Sequence, residues 1–482
     1  MKKILTLITL VAMIMVAGCV DLDDILRRLD ASESKLAEQE RELATMKSLV
    51  DAMDKKISVQ SYKELADKSG YELTMSDGSK ITLKHGAKGE QGEQGNPGQD
   101  GDANLTITEV GDVIIIVYKG VTYTLPKGEA PVRMTLTTAK NVGEKITLRI
   151  NAAADDQPDI WIDLNNNDKK DEGEAVTVFG SDVDYLLGAQ TVTVYGKVTY
   201  LRCIENYLTS LDVSKNTELT YLSCRDNQLT SLDVSKNTAL TELYCYVNQL
   251  TSLDVSRNTA LTSLDCANNR LTSLDLSHNT ALTQLWCSYN SLKALDVSHN
   301  KALKYLYCHG NQLTSLDVSN KTALKRLECV RNQLVSLDVS NNTALTTLSC
   351  QNNSLKVLDV SSNTALTWLQ CHQNQLTLLD VSKNTALTYL ECFANQLTSL
   401  DVSNNTALKN LYCCSNKISG DNMTALVNSL PTRTGGYGGF FRVINLEDSN
   451  EQNKCTTAQV GIATGKNWKV MDSEDNPYPG SD

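Results

Sequence analysis

The apolar positions of this chain fall into a constant register between residues 200 and 417. Ten units of twenty-one residues follow one another without insertion, beginning at Leu208, Leu229, Leu250, Leu271, Leu292, Leu313, Leu334, Leu355, Leu376 and Leu397, and they share the pattern LTSLDVSxNTALTxLxCxxNQ. A partial unit, YLRCIENY, precedes them with its own Cys203 and Asn206. Such a period marks a supersecondary unit that cannot bury its apolar face alone and is completed by stacking on its neighbours. In the LxC stretch, strand alternation sends Leu222 and Cys224 to one face and Ser223 to the other. Each unit is therefore expected to add one short strand to a stack, with its leucines and its thiol inside.

With cysteine standing for one leucine of LxxLxLxxNxL, the segment resembles the leucine-rich repeat, and its internalin-like form in surface proteins most of all. The resemblance covers residues 200–417. It implies an α/β-type solenoid, mainly β, whose strands line a concave face. The expected fold is a leucine-rich-repeat solenoid of ten 21-residue units with a β-rich N-terminal domain, an α/β C-terminal cap and a coiled-coil stalk.

Eleven of the fourteen cysteines form the ladder from Cys203 to Cys413. Stacked coils lie about 4.8 Å apart, beyond the roughly 3.5 to 4.5 Å between Cβ atoms that a disulfide prefers. An odd number of thiols also cannot pair completely. Zinc needs ligands that converge tetrahedrally, and a straight row of single thiols does not converge. Buried free thiols, packing as small hydrophobes, are the expectation.

Two polar ladders run beside them. Asn227, Asn248, Asn269, Asn290 and their successors to Asn416 are placed to hydrogen-bond backbone where the chain leaves the strand. Asp212, Asp233, Asp254 and their successors to Asp401 alternate with inward Leu and Val, so they point outward. These carboxylates are either a solvated face balanced by local Ser, Thr and Lys, which is the preferred reading, or a row that a divalent cation relieves.

The units differ mainly around LxC. There the chain carries Tyr221; Tyr244 and Tyr246; Asp265; Trp286 and Tyr289; Tyr305, Tyr307 and His309; Arg326, Glu328 and Arg331; Trp368 and His372; Tyr389, Glu391 and Phe393; and Tyr412. Every aromatic residue of the ten units lies on this stripe. Exposed Tyr, Trp and Arg are enriched at protein-binding hot spots, so the stripe reads as a ligand-binding face. The competing reading is that aromatic residues simply suit strands and cross-strand stacking.

The first residues bear on where that face is displayed. MKKILTLITLVAMIMVAGC has a basic start, a short apolar run and small residues before a cysteine. It resembles a bacterial lipoprotein signal over residues 1–18, with Val16, Ala17 and Gly18 as the lipobox and Cys19 as the lipidated residue. Residues 19–58 carry Leu22, Leu29, Leu36, Leu43, Val50 and Ile57 at intervals of seven, with Ile25, Met46 and Met53 between them and Ser32 and Gln39 interrupting the seam. This is a coiled-coil pattern; the alternative is an amphipathic helix docked on its own chain. Residues 59–130 hold two hairpin-like stretches, YELTMSDGSKITL and DVIIIVYKGVTYTLP, around collagen-like triplets at 86–103, with Gly86, Gly89, Gly92, Gly95, Gly98 and Gly101 in register. A homotrimer through the stalk is the assembly this spacing allows, and a flexible linker is the other reading. The arrangement resembles the stalk of certain Bacteroidota surface proteins, some polysaccharide lyases among them.

Residues 131–199 read as β-rich, and 163–174 carry an EF-hand-like loop: Asp163, Asn165, Asn167, Lys169, Asp171 and Glu174 stand at positions one, three, five, seven, nine and twelve. Asp168 takes the place of the usual glycine, and the strand-like PDIWI before it argues against a helix-loop-helix. A structural calcium is preferred over an acidic turn without metal. Residues 418–482 read as a cap of helix, strand, helix and strand in the segments DNMTALVNSLP, FFRVINL, TTAQVGIAT and NWKVMD.

A net charge of −12 disfavours nucleic acid as a partner. The five histidines, His85, His278, His299, His309 and His372, form no HExxH and no triad-like setting, and no organic cofactor motif stands out. The expected protein is therefore not an enzyme. It is a lipid-anchored lipoprotein of the outer membrane, exposed at the cell surface, whose repeats bind an extracellular protein as an adhesin or receptor. Glycan capture is the alternative and a polysaccharide-active enzyme the third reading.

Overall fold

A computed structural model describes residues 22–55, 57–76, 78–85, 105–111, 113–128, 132–434, 436, 438–449 and 451–481. The signal sequence, Cys19 and the glycine triplets lie outside them. The chain divides into two compact units, Met1–Ala130 and Pro131–Asp482.

In the first unit a helix, α1 (Leu22–Asp54), is followed by two antiparallel sheets of three strands each. One contains β1 (Val59–Glu64), β2 (Gly70–Met75) and β3 (Lys80–Lys84), and the other β4 (Leu105–Val110), β5 (Val113–Tyr118) and β6 (Val121–Pro126). Both hairpins read from the sequence form, with Gly70 opposite Lys84 and Val113 opposite Pro126. Alternate residues of β5 are buried, as a one-sided sheet requires. The end of α1 docks on its own chain, the alternative to the coiled coil in the sequence reading. Leu49 and Ala52 join one core with Val59, Leu73, Ile81, Ile116 and Leu125, with Met46 packed against it. Glu42 adds an ion pair to Lys119 at 2.7 Å. The docking draws in Met46 and Ile57 from the heptad pattern but leaves most of its leucine row free, since Leu36, Leu43 and Val50 remain 56%, 65% and 45% exposed.

The second unit opens with β7 (Arg133–Thr138), β8 (Lys145–Asn151), β9 (Trp161–Asp163), β10 (Val183–Leu186), β11 (Thr191–Tyr195), β12 (Tyr200–Arg202) and β13 (Leu208–Asp212). Ten three-residue strands follow: Tyr221–Ser223, Glu242–Tyr244, Ser263–Asp265, Gln284–Trp286, Tyr305–Tyr307, Arg326–Glu328, Thr347–Ser349, Trp368–Gln370, Tyr389–Glu391 and Asn410–Tyr412, labelled β14 to β23. In the sheet that runs from β12 through β14 to β23, each strand pairs in parallel with the next, shifted by one repeat, as in Leu222 opposite Leu243 and Leu243 opposite Leu264. The strands are short because each coil must turn away as soon as its LxC has paired.

The coil interior follows the pattern closely. In the unit from Leu229, the residues Leu229, Val234, Leu240, Leu243 and Cys245 are fully buried and Leu232 nearly so. Thr230, Ser231 and Asp233 face solvent. Truncating one such leucine to alanine costs about 2 to 5 kcal/mol, and the coils share that cost because each leucine also packs on the next. One apolar core runs unbroken from Met134 to Tyr478.

Both ends of this core are covered. At one end β8 pairs antiparallel with β12, and β7 pairs with β13, so residues 132–199 close the first coil. At the other end the chain forms α2 (Gly420–Ser429), β24 (Gly439–Ile444), α3 (Thr457–Gly465) and β25 (Trp468–Asp472), in the order read from the sequence. The strand β24 continues the sheet after β23 and β25 follows it. A capping box between Thr456 and Gln459 starts α3, and Cys455 is buried beside it. Among the described residues, no helix is long and apolar enough to cross a membrane.

Candidate functional site

Each coil turns three side chains to the outer face of the sheet: the first and third residues of its strand and the residue after its cysteine. Parallel pairing lines these into columns. The first column includes Tyr221, Tyr305, Arg326, Trp368 and Tyr389, the second Tyr244, Asp265, Trp286, Tyr307, Glu328, Glu391 and Tyr412. The residues after the cysteine include Tyr246, His309, His372 and Phe393.

Inside, the thiols sit as expected. All ladder cysteines from Cys203 to Cys413 are free and fully buried. Burial pushes the Cys224 and Cys329 thiols up to about 12, so they stay protonated at neutral pH. The backbone beside each thiol is satisfied by the next coil, as where the Cys245 amide donates to the Asp265 carbonyl at 2.8 Å.

The asparagine ladder turns the chain out of the strand. The Asn248 amide donates to the carbonyls of Cys224 and Cys245 at 3.0 Å each, while its oxygen accepts from the Leu229 amide at 3.0 Å. The residue before each such asparagine is left-handed, at φ 55° for Asp226, 52° for Val247, 51° for Tyr289 and 52° for Arg331. Tyr289 and Arg331, assigned to the stripe from sequence, therefore project from this turn and not from the strand. The Asp, Asn and Gly that fill several of these sites were the sequence signal for it.

A second asparagine ladder was not recognised as one from sequence. Asn237 donates to the carbonyls of Val213 and Asn216 at 2.9 and 2.7 Å, and the same bonds recur from Asn258 to Asn405. The ladder breaks at Lys321, a fully buried lysine whose ammonium contacts Asn320. The outward aspartates form Asx turns, as in the Ser235 amide donating to Asp233 at 2.9 Å, in keeping with a solvated face.

On the outer face the rings stack along the columns. Tyr200 and Tyr221 lie 4.0 Å apart at 10°, Trp286 and Tyr307 5.4 Å apart at 8°, and Trp368 and Tyr389 3.6 Å apart at 5°. Cations lie against several rings: Arg225 over Tyr246, Arg326 over Tyr307, and Arg442 over Tyr412 at 4.3 Å. Tyr412 is only 9% exposed, whereas Trp368 is 37% and Tyr289 46% exposed. The cap extends the columns with Phe440 opposite Asn410 and Arg442 opposite Tyr412, neither of which the repeat pattern announced.

Charged groups are held firmly between the rings. Glu391 accepts from Gln370 at 2.7 Å and from the Tyr389 hydroxyl, with His372 Nδ1 at 3.2 Å. Burial pushes Glu391 up, but hydrogen bonds from His372, Tyr389 and Gln370 outweigh it and hold the carboxyl below its ordinary value. Burial pushes Asp265 up to about 6, against the pull of the Ala267 amide and the Arg225 charge. Burial draws His309 below its ordinary value although Glu328 favours the charged form.

The loop at 163–174 runs from β9 to a bridge between Ala175 and Trp161, so no helices flank it. Asp163 and Glu174 are buried at its base, where the amides of Asn167 and Asp168 donate to Asp163 and those of Leu164 and Asp171 to Glu174. Asn165 and Asn167 both reach Asp171, at 2.8 and 2.7 Å. Asp168, where glycine is usual, adopts the left-handed φ of 58° that this position needs, and Tyr195 holds its carboxylate at 2.9 Å. Among the described residues, no group of three or more His, Cys, Asp or Glu side chains forms a ligand cluster. The three carboxylates of the loop, Asp163, Asp171 and Glu174, are each engaged by amide donors of the same loop.

The comparisons agree on the repeats. The model of the leucine-rich repeats (2 copies) matches residues 238–278 and 259–299, and the model of the LVIVD repeat matches 188–223. No curated protein is similar enough to count as a match. Among solved structures, the functional domain of InlJ from Listeria monocytogenes, described as including a cysteine ladder, is 30% identical over 59% of this chain and 82% of its own, with a TM-score of 0.48. The Leptospira interrogans protein LIC12759 is 23% identical over 56% of this chain and 71% of its own, at 0.47, and the internalin inlF from Listeria monocytogenes 22% identical over 53% and 86%, at 0.42. With parallel three-residue strands at a 21-residue interval, an asparagine ladder and the family model matching within them, the repeats form a leucine-rich-repeat solenoid.

Proposed function

We propose that this chain is a lipid-anchored surface lipoprotein whose outward strand columns bind an extracellular protein. The observation that carries the reading is the row of Trp, Tyr and Arg side chains on a sheet face that has no core to fill. Sugars are gripped by stacking on an open ring face, and in the pairs Tyr200–Tyr221 and Trp368–Tyr389 one face of each ring is already covered by its neighbour. That arrangement favours a protein partner over a glycan. Attachment through Cys19 rests on the lipobox in the sequence.

The test is capture by the purified chain on arrays of extracellular proteins and of glycans, repeated with Trp286→Ala and Trp368→Ala. Selective protein capture weakened about tenfold or more by either substitution supports the reading; glycan capture, or protein capture that both variants retain in full, contradicts it. Cys19→Ser is expected to abolish labelling by a lipid precursor. For the loop we propose a structural calcium held by Asp163, Asn165, Asn167, Asp171 and Glu174 with the Lys169 carbonyl. Its removal by chelator should lower the unfolding midpoint of the second unit, and an unchanged midpoint argues for an acidic turn alone.

A further inference from the structure

The docking of α1 leaves the row of first heptad positions from Leu36 to Val50 without a partner. Leu36, Leu43 and Val50 stand exposed at intervals of seven and Leu29 is half-buried, while the turns that pack inward use Leu49 and Ala52 and, from the intervening heptad positions, Met46. Three exposed leucine or valine side chains in a line on a helix rarely stay in water. The flanking charges indicate what covers them. With Leu29, Leu36 and Leu43 as the first residue of each heptad, Arg28 and Lys35 fall at the seventh position, and Glu33 and Glu40 at the fifth.

In parallel, in-register helices, the seventh residue of one heptad meets the fifth residue of the next heptad on the neighbouring helix. That sets Arg28 against Glu33 and Lys35 against Glu40 of the next copy, opposite signs at both places. Glu42 and Lys47 have the same relationship, although Glu42 is already paired with Lys119. Arg28, Glu33, Lys35, Glu40 and Lys47 are all exposed, and among the described residues none has an ion pair of its own. An antiparallel pair centred on Leu36 would instead bring Glu33 against Glu40 and Lys35 against Lys35. The polar Ser32 and Gln39 at the intervening core positions are the kind of residue that sets register at a cost in stability.

We propose that α1 is the interface of a parallel, in-register homotrimer, its leucine seam covered by two further copies of this chain and its orientation set by Arg28–Glu33 and Lys35–Glu40 pairs between copies. The glycine at every third residue from Gly86 to Gly101 is the spacing that three chains require, which favours three copies over two. This concerns the stalk expected from the sequence and does not depend on what the strand face binds.

The test uses the chain from Val20 onward, which keeps every described residue. Sedimentation at micromolar concentration is expected to give three times the monomer mass. Leu36→Asp with Leu43→Asp should give monomers that keep the unfolding transition of the repeats. Glu33→Lys with Glu40→Lys should weaken assembly at least tenfold, and adding Arg28→Glu and Lys35→Glu should restore it. Leu29→Cys should form disulfides between copies on mild oxidation, which an antiparallel arrangement centred on Leu36 would not allow. A monomeric or dimeric mass, or charge variants without effect, overturns the inference. If assembly fails while ligand capture persists, the stalk proposal alone is lost; if capture fails in an intact trimer, the reading of the strand face is lost.

Discussion

The Trp368 indole lies flat against the Tyr389 ring, with centroids 3.6 Å apart and planes 5° from parallel. Parallel pairing puts these two residues directly opposite each other on neighbouring coils, so their contact is a property of the register and not of a local loop. A double-mutant cycle with Trp368→Ala and Tyr389→Ala is expected to give a coupling of about 1 kcal/mol in stability. A coupling near zero would mean that the rings lie apart in solution.

Lys321 is the one departure in the buried asparagine ladder between Asn216 and Asn405. It leaves the Val297 and Asn300 carbonyls without the amide donor that their counterparts have at other coils, and it places an ammonium among buried groups. Burial holds that ammonium below its ordinary value, although Asp317 and Asp296 favour the charge. Lys321→Asn is expected to raise stability by about 2 kcal/mol, from two restored hydrogen bonds at roughly 1 kcal/mol each. Denaturant titration measures this directly, and a loss of stability would show that the lysine serves the fold in another way.

Val247 is a β-branched residue at a left-handed φ of 52° with its side chain 41% exposed. It therefore bears backbone strain without gaining much burial. Val247→Asn should stabilise the protein by about 1 kcal/mol, because asparagine accepts this conformation more readily. Thermal unfolding of the variant checks it; a lower midpoint would contradict the strain.

Stability should pass through a maximum in mildly acidic solution. Asp265 has its folded value raised to about 6, above its value in the unfolded chain, so its contribution is complete below about pH 4 and is lost as pH rises through 6. Asp233, Asp254 and Asp296 are lowered, chiefly by the backbone amides of the following serines, so their contributions exist above about pH 4 and fade as pH falls further. Asp265→Asn should remove the decline between pH 4 and 6, worth at most about 3 kcal/mol at roughly 1.4 kcal/mol per pH unit. A wild-type profile that is flat over this interval would contradict the burial of Asp265.

What repeats was legible in the sequence, and what occurs once was not. Leu222, Cys224 and Asn227 could be placed inside because the same residues return at every coil and only one strand parity buries them all. The turn that lifts Tyr289 and Arg331 off the strand was missed because Val, Tyr, Arg and Gln share those sites with Asp, Asn and Gly and blur the left-handed signal. Phe440 and Arg442 extend the columns through the pairing of β24 with β23, a contact that no period predicts. The docking of Leu49 and Ala52 was hidden for a related reason: two turns of helix carry too few residues to compete with a heptad pattern running the length of α1.

The whole arrangement rests on the ladder thiols lying inside the coils, since that parity is what turns Trp286, Trp368 and their neighbours outward. Mass spectrometry of the native, unreduced chain from Val20 onward after brief exposure to a water-soluble thiol reagent tests this most directly. The account predicts that none of the ladder cysteines from Cys203 to Cys413 is modified in native protein and that all are modified in denaturant without reductant. Rapid modification of those cysteines in the native state, or masses showing them joined in pairs, would contradict it.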